Sequence, residues 1–175
     1  VTQDQMNALG QGSIDVGKQL GVDAKNVMNA AEIYANANDT AKGVLDKAQA
    51  SILLSNASGA DTSTTSDQIQ GVINQFDNLK GKETEVVNIY EKISANLGID
   101  FAKGITQMSE AVSTAGSVVD TAGMKFSTFA ASTGKIAEKT RQDGSTIGNA
   151  YKTILARISR SKSADESVTD ADRSN

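Results

Sequence analysis

The sequence has no cysteine, histidine, proline or tryptophan, and only seven aromatic residues, three Tyr and four Phe, among 175 positions. Without thiols or imidazoles there are no thiolate nucleophiles, no disulfides, no histidine general base and none of the usual zinc ligands. A chain without cysteine tolerates either redox compartment, so none is indicated. Without proline every residue keeps a backbone donor, and helices meet no obligatory break. Long apolar runs are also missing, and nothing approaches the roughly 20 residues needed to span a membrane. Nor is there an excess of positive charge. Seventeen basic against 21 acidic side chains give a formal net charge of -4, which offers no general attraction to nucleic acid or anionic lipid.

What the chain does have is helical periodicity punctuated by 15 glycines. Met6, Leu9, Ser13, Val16 and Leu20 recur on one face, with Gly21 as the expected C-cap. Asp23 is placed to cap a helix carrying Val27, Ala30, Ala31 and Tyr34, and Asp39 one carrying Ala41, Val44, Leu45, Ala48, Ile52 and Leu53. The period resumes at Ser66 through Ile69, Val72, Ile73, Phe76 and Leu79, then again through Val86, Ile89, Tyr90, Ile93 and Leu97 to a stop at Gly98. Asp100 caps a helix with Phe101 in its first turn and Ile105, Met108, Val112 and Ala115 on its face. Residues 116–123 read as a short connection, with extension of the helix through Val118 and Val119, or their packing across it, as the alternative. Phe126, Phe129, Ala130, Thr133, Ile136 and Ala137 form the next stripe, and Ile147, Tyr151, Ile154, Leu155 and Ile158 the last.

No clean strand alternation competes with these stripes, so the expected fold is all-α: short glycine-punctuated amphipathic helices, arranged as helical hairpins in series. The organisation expected is an N-terminal helical segment over residues 1–56, a polar linker at 57–65, a helical domain over 66–162, and a polar segment at 163–175. The opening Val1-Thr2-Gln3-Asp4 and the polar end suggest a piece of a longer polypeptide. Alanine, serine and glycine occupy many inward positions, which allows close helix approach but limits the area each helix buries. Oligomeric packing is the expected compensation.

Several motifs come close to a chemistry and miss. Gly12-Ser-Ile-Asp-Val-Gly17-Lys18-Gln19 nearly spells a phosphate-binding loop, but Gln19 stands where the magnesium-binding hydroxyl belongs and no apolar strand precedes it. Glu83 with Glu85, and Asp165 with Glu166, lack the cleft that drives paired carboxylates apart in pKa. Asp170-Ala-Asp172-Arg-Ser174-Asn175 gives only the opening of a calcium loop. Asn38-Asp-Thr40 and Asn56-Ala-Ser58 match the glycosylation pattern by chance. Lys152, Arg157, Arg160 and Lys162 form the one basic cluster. It has no aromatic interleaving, and an acidic neighbouring subunit suits it better than nucleic acid. Tyr34, Tyr90 and Tyr151 each fall on an apolar face as packing residues. No catalytic, cofactor-binding or metal residue is expected, and hence no cofactor and no enzymatic activity. The residues expected at packing or interface positions are Phe101, Phe126, Phe129, Tyr151, Ile154 and Arg157.

Residues 86–162 resemble the tail tape-measure proteins of long-tailed bacteriophages, particularly siphophages and prophages of Gram-positive hosts. The resemblance is carried by Ile93-Ser-Ala-Asn-Leu-Gly98, by Phe101-Ala-Lys-Gly-Ile-Thr-Gln-Met-Ser-Glu-Ala111, by residues 115–129, and above all by Ile136-Ala-Glu-Lys-Thr-Arg141 with Thr146-Ile-Gly-Asn-Ala-Tyr-Lys-Thr-Ile-Leu-Ala-Arg-Ile158. In that last piece Gly148, Lys152, Thr153, Ile154 and Arg157 match the family pattern. Residues 24–76 carry a weaker likeness, and the wording departs at Gly116-Ser-Val-Val-Asp120. The resemblance implies a ruler in the tail lumen or tip that templates tail length and is released at genome ejection. It also implies the partners: further copies of the chain, a trimer being the natural number, together with tail-tube and distal tail or baseplate proteins. Later contact with host envelope or DNA would come through the parent protein. Assembly in the host cytoplasm and residence in the virion tail follow from the same likeness. The alternative is a generic helical interaction module of a bacterial surface or secreted protein, which composition alone fits equally well.

Overall fold

The computed structural model describes residues 2–35, 40–97 and 100–172, giving the backbone alone for Leu97 and for residues 162–172. Among the described residues the protein is all-α. Its helices are α1 (Gln3–Leu20), α2 (Ala24–Tyr34), α3 (Ala41–Ser58), α4 (Thr62–Gln75), α5 (Glu83–Leu97), α6 (Phe101–Thr121), α7 (Phe126–Thr140) and α8 (Gly144–Asp172), with a 3-10 turn at Asp77–Leu79.

Short polar side chains set most helix starts. Thr2 and Gln5 form a reciprocal capping box on α1, with Gln5 N donating to Thr2 Oγ1 at 3.2 Å and Thr2 N donating to Gln5 Oε1 at 2.8 Å. Asp23 and Asp100 cap α2 and α6 through the backbone N–H groups of Lys25 and Lys103. Gly21 closes α1 in the left-handed region at φ +67°, which only glycine enters without strain. Thr40 caps α3. Asp39, the expected cap, and Gly98, the expected stop of α5, lie outside the described residues.

Two apolar clusters hold the helices, and α3 serves both. Leu9 of α1 and Val27, Ala30, Ala31 and Tyr34 of α2 pack on Val44, Ala48 and Ile52 of α3. Ala50 and Leu54, on another side of α3, join Ile69, Val72, Ile73 and Phe76 with the inward faces of α5, α6 and α7. A helix apolar on two sides is buried between layers and carries no single stripe.

The expected polar linker at 57–65 is helix for most of its length. The last turn of α3 and the first turn of α4 flank a tight turn at residues 59–61, and α4 starts at Thr62, four residues before the sequence pattern resumes. The hydroxyl groups explain the difference, because they find backbone acceptors across the turn. Thr65 Oγ1 donates to Ser51 O at 2.9 Å in a buried position, and Ser55 Oγ donates to Ala60 O at 2.6 Å.

At 116–123 the structure takes the alternative, helix extension, over a short connection. α6 continues through Gly116 to Thr121, and the turn comes only at Gly123, φ +78°. Gly116 is a notch in the helix surface: a Cβ built there would lie 2.8 Å from Gln75 Cβ and 3.0 Å from Gln75 Cγ of α4. Within the expected polar segment at 163–175, α8 continues to Asp172, and residues 173–175 lie outside the described residues.

Each tyrosine ties its helix to a serine on another. Tyr34 of α2 lies 2.5 Å from Ser51 Oγ of α3, Tyr90 of α5 lies 3.1 Å from Ser109 Oγ of α6, and Tyr151 of α8 donates to Ser132 Oγ of α7 at 2.5 Å. Burial pushes the Tyr90 phenol up to about 12, against a smaller lowering by Ser109, and burial raises Tyr34 as well.

Two outcomes are expected. Between the ordinary phenol pKa near 10 and about 12, the unfolded chain has released the Tyr90 proton and the folded chain still holds it, so stability falls as pH rises through that window. Tyr90→Phe should flatten the fall, measured by urea unfolding at several alkaline pH values. Gly116→Ala should cost about 1 to 3 kcal/mol by overpacking α4 against α6, read as a lowered urea midpoint.

Candidate functional site

Of the expected packing and interface residues, the structure brings three together and spreads the rest. Phe126 and Phe129 of α7 are buried against Phe76 at ring-centroid distances of 5.3 and 6.4 Å. Tyr90 meets Phe126 edge-on at 5.6 Å, and Tyr151 meets Phe129 edge-on at 4.9 Å. The five rings form a continuous spine from α5 to α8. Phe101 packs half-buried at the border of this core. Ile154 and Arg157 point away from it and are exposed.

The spine fixes α8 on one side, and two glycines fix it on another. A Cβ at Gly144 would lie 1.8 Å from the Gln107 carbonyl oxygen, and one at Gly148 would lie 2.8 Å from Thr114 Cβ and 3.0 Å from the Ala111 carbonyl oxygen. Backbone therefore lies against backbone along this seam. Gly144 N also donates to Glu110 Oε2 of α6 at 3.0 Å, and Asp143 accepts from Thr146 N at 2.7 Å. Two carboxylates thus meet the positive end of α8, and the Thr146 N–H holds the Asp143 carboxyl below its usual range. Because Gly144 sits at Gln107, Gly148 at Thr114 and Ala156 at Val118, α8 runs parallel to α6.

Beyond that seam α8 runs on past the end of α6. Ser159 still lines a hollow with Thr121 and Ala122 at the end of α6, and α8 continues for 13 more residues, about 20 Å. Its outer surface carries Ile154 and Ile158, 54% and 48% exposed. Beside α6 a shallow hollow is lined by Val118, Lys152, Thr153, Ala156, Arg157 and Arg160. Lys152, Arg157 and Arg160 are exposed and make no ion pair among the described residues. Of the hollow's apolar residues, Val118 belongs to a stretch whose sequence fits either a connection or more helix, and Ala156 gives no local signal of a hollow.

The motifs that approached a chemistry fall elsewhere. The phosphate-loop look-alike lies wholly inside α1, where Gly12 faces Leu45 of α3 and Gly17 faces the Val22 carbonyl. Its backbone N–H groups are spent within the helix, and its glycines are packing notches. Glu83 is buried in the first turn of α5, whereas Glu85 is exposed near Lys82 at 3.9 Å, so the two carboxylates occupy different environments. The side chains of Asp165, Glu166, Lys162 and the calcium-like run 170–175 lie outside the described residues. Among the described residues no helix is long and apolar enough to cross a membrane.

A family model described as phage-related minor tail protein matches residues 4–172. No curated protein and no solved structure matches the chain.

The α6–α8 seam makes a sharp prediction. Gly144→Leu should displace the start of α8, cost about 3 kcal/mol or more and lower the thermal midpoint, whereas Ile154→Ser should stay within about 0.5 kcal/mol of the parent chain. Both are read by thermal melts followed by circular dichroism.

Proposed function

Because the chain belongs to the phage-related minor tail protein family, we propose that it is a segment of a tape-measure protein that templates tail length and leaves the tail at genome ejection. Membership itself makes the chain a structural component of a virion tail. The finer reading, a ruler within the tail lumen or tip, is supported by the wording of residues 136–158. In the fold those residues cover the end of α7, the glycine seam with α6, and the stretch of α8 that carries the exposed Ile154 and Ile158.

A ruler measures by length per residue. Fully helical, all 175 residues would reach about 260 Å, but helices α1 to α7 fold back on one another and add little. Only the last 13 residues of α8, about 20 Å, run on past the end of α6. The bundle then acts as a folded node on the ruler, and the helix leaving it as the start of a graduated stretch. Neighbouring copies, tail-tube subunits and distal tail or baseplate proteins are its partners in this reading. Any host-envelope or DNA contact belongs to the parent chain. We read the segment as non-enzymatic, with packing and docking as its whole task.

In-frame deletion of helical stretches of the parent protein should shorten tails in proportion to the residues removed, as measured on negatively stained virions. Unchanged tail length after several such deletions refutes the ruler and leaves a tail component of another kind.

A further inference from the structure

We propose that the basic hollow between α6 and α8 receives the acidic end of α8 from a second copy of this chain, joining copies head to tail. The hollow offers three cations, Lys152, Arg157 and Arg160, around the apolar Val118 and Ala156. None of the three has an acidic residue three or four positions away in sequence, so no local pairing within α8 neutralises them. Between residues 144 and 164 α8 contains no acidic residue at all. The next eight, residues 165–172, contain Asp165, Glu166, Asp170 and Asp172, with Val168 among them and no cation. They are helical.

One rigid helix cannot bring these two parts of itself together. Arg157 and Asp165 are separated by eight residues, about 12 Å along the axis, and α8 is unbroken between them. A second copy meets no such restriction. The basic stretch 152–160 and the acidic stretch 165–172 are each about 11 to 12 Å long, so one fits along the other. The hollow's floor is apolar at Val118 and Ala156, which suits a protein segment better than a phosphate backbone. Because hollow and acidic end are different surfaces, the contact is heterologous and propagates from copy to copy until a ring closes or a row forms. This inference goes beyond the ruler reading and does not depend on it, since the association is a property of the chain in solution.

Sedimentation velocity of the 175-residue chain at increasing concentration tests it. Association is expected at low ionic strength and should weaken at least about ten-fold near 0.5 M salt, where screening acts over about 4 Å. Arg157→Glu with Arg160→Glu should abolish it, as should Asp165→Lys with Glu166→Lys. Mixing these two charge-reversed chains should restore it, and all four substitutions are on the helix that leaves the bundle, so circular dichroism should show both variants folded. A chain that stays monomeric at every concentration overturns the proposal. So does association that survives both reversals, or a hollow that binds a labelled DNA duplex while the copies ignore one another.

Discussion

The fold depends on helices that approach until backbone meets backbone. With seven aromatic side chains in 175 residues and many alanines, serines and glycines facing inward, large apolar volumes cannot fill wide gaps between helices. The gaps are closed instead. Gly12 admits Leu45, Gly116 admits Gln75, and Gly144 with Gly148 admits the backbone of α6. Close approach raises the number of favourable short contacts per residue and partly replaces the area that bulky side chains would bury. The aromatic rings are concentrated where α4, α5, α7 and α8 converge, so the widest junction receives the largest groups.

This constraint also explains which parts of the fold were legible in the sequence. The helical class, the caps at Asp23 and Asp100, the glycine stop at Gly21 and the inward positions Phe126, Phe129 and Tyr151 all follow from local periodicity and local hydrogen bonding. Gly116 and the serine- and threonine-rich run 55–66 were misread for one shared reason. Glycine has two uses, turning a chain and admitting a neighbour, and a hydroxyl likewise can solvate a loop or bond a carbonyl inside a helix pair. Only the position of the neighbour decides between them. Gly116 has Gln75 opposite it, and Thr65 has Ser51 O. Those partners are 41 and 14 residues away, beyond any local window.

The candidate surface was legible in its parts and not in its shape. Lys152, Arg157 and Arg160 stand out as a basic cluster, but its apolar floor comes from Val118, on a stretch where local pattern leaves helix and connection both open. Ile154 and Ile158 belong to the apolar stripe and are exposed, because a stripe records which face of α8 is apolar and not what lies against it. The seam that anchors α8 and the surface that it displays belong to the same 29 residues.

The two-sided role of α3 has a further consequence. Its Val44, Ala48 and Ile52 close one cluster, and its Ala50 and Leu54 close the other. Neither cluster can therefore be detached with its walls complete, and loosening of α1 and α2 is felt across the helix by α4. Pulled from its ends, such a chain should yield in one concerted event more readily than in two graded steps.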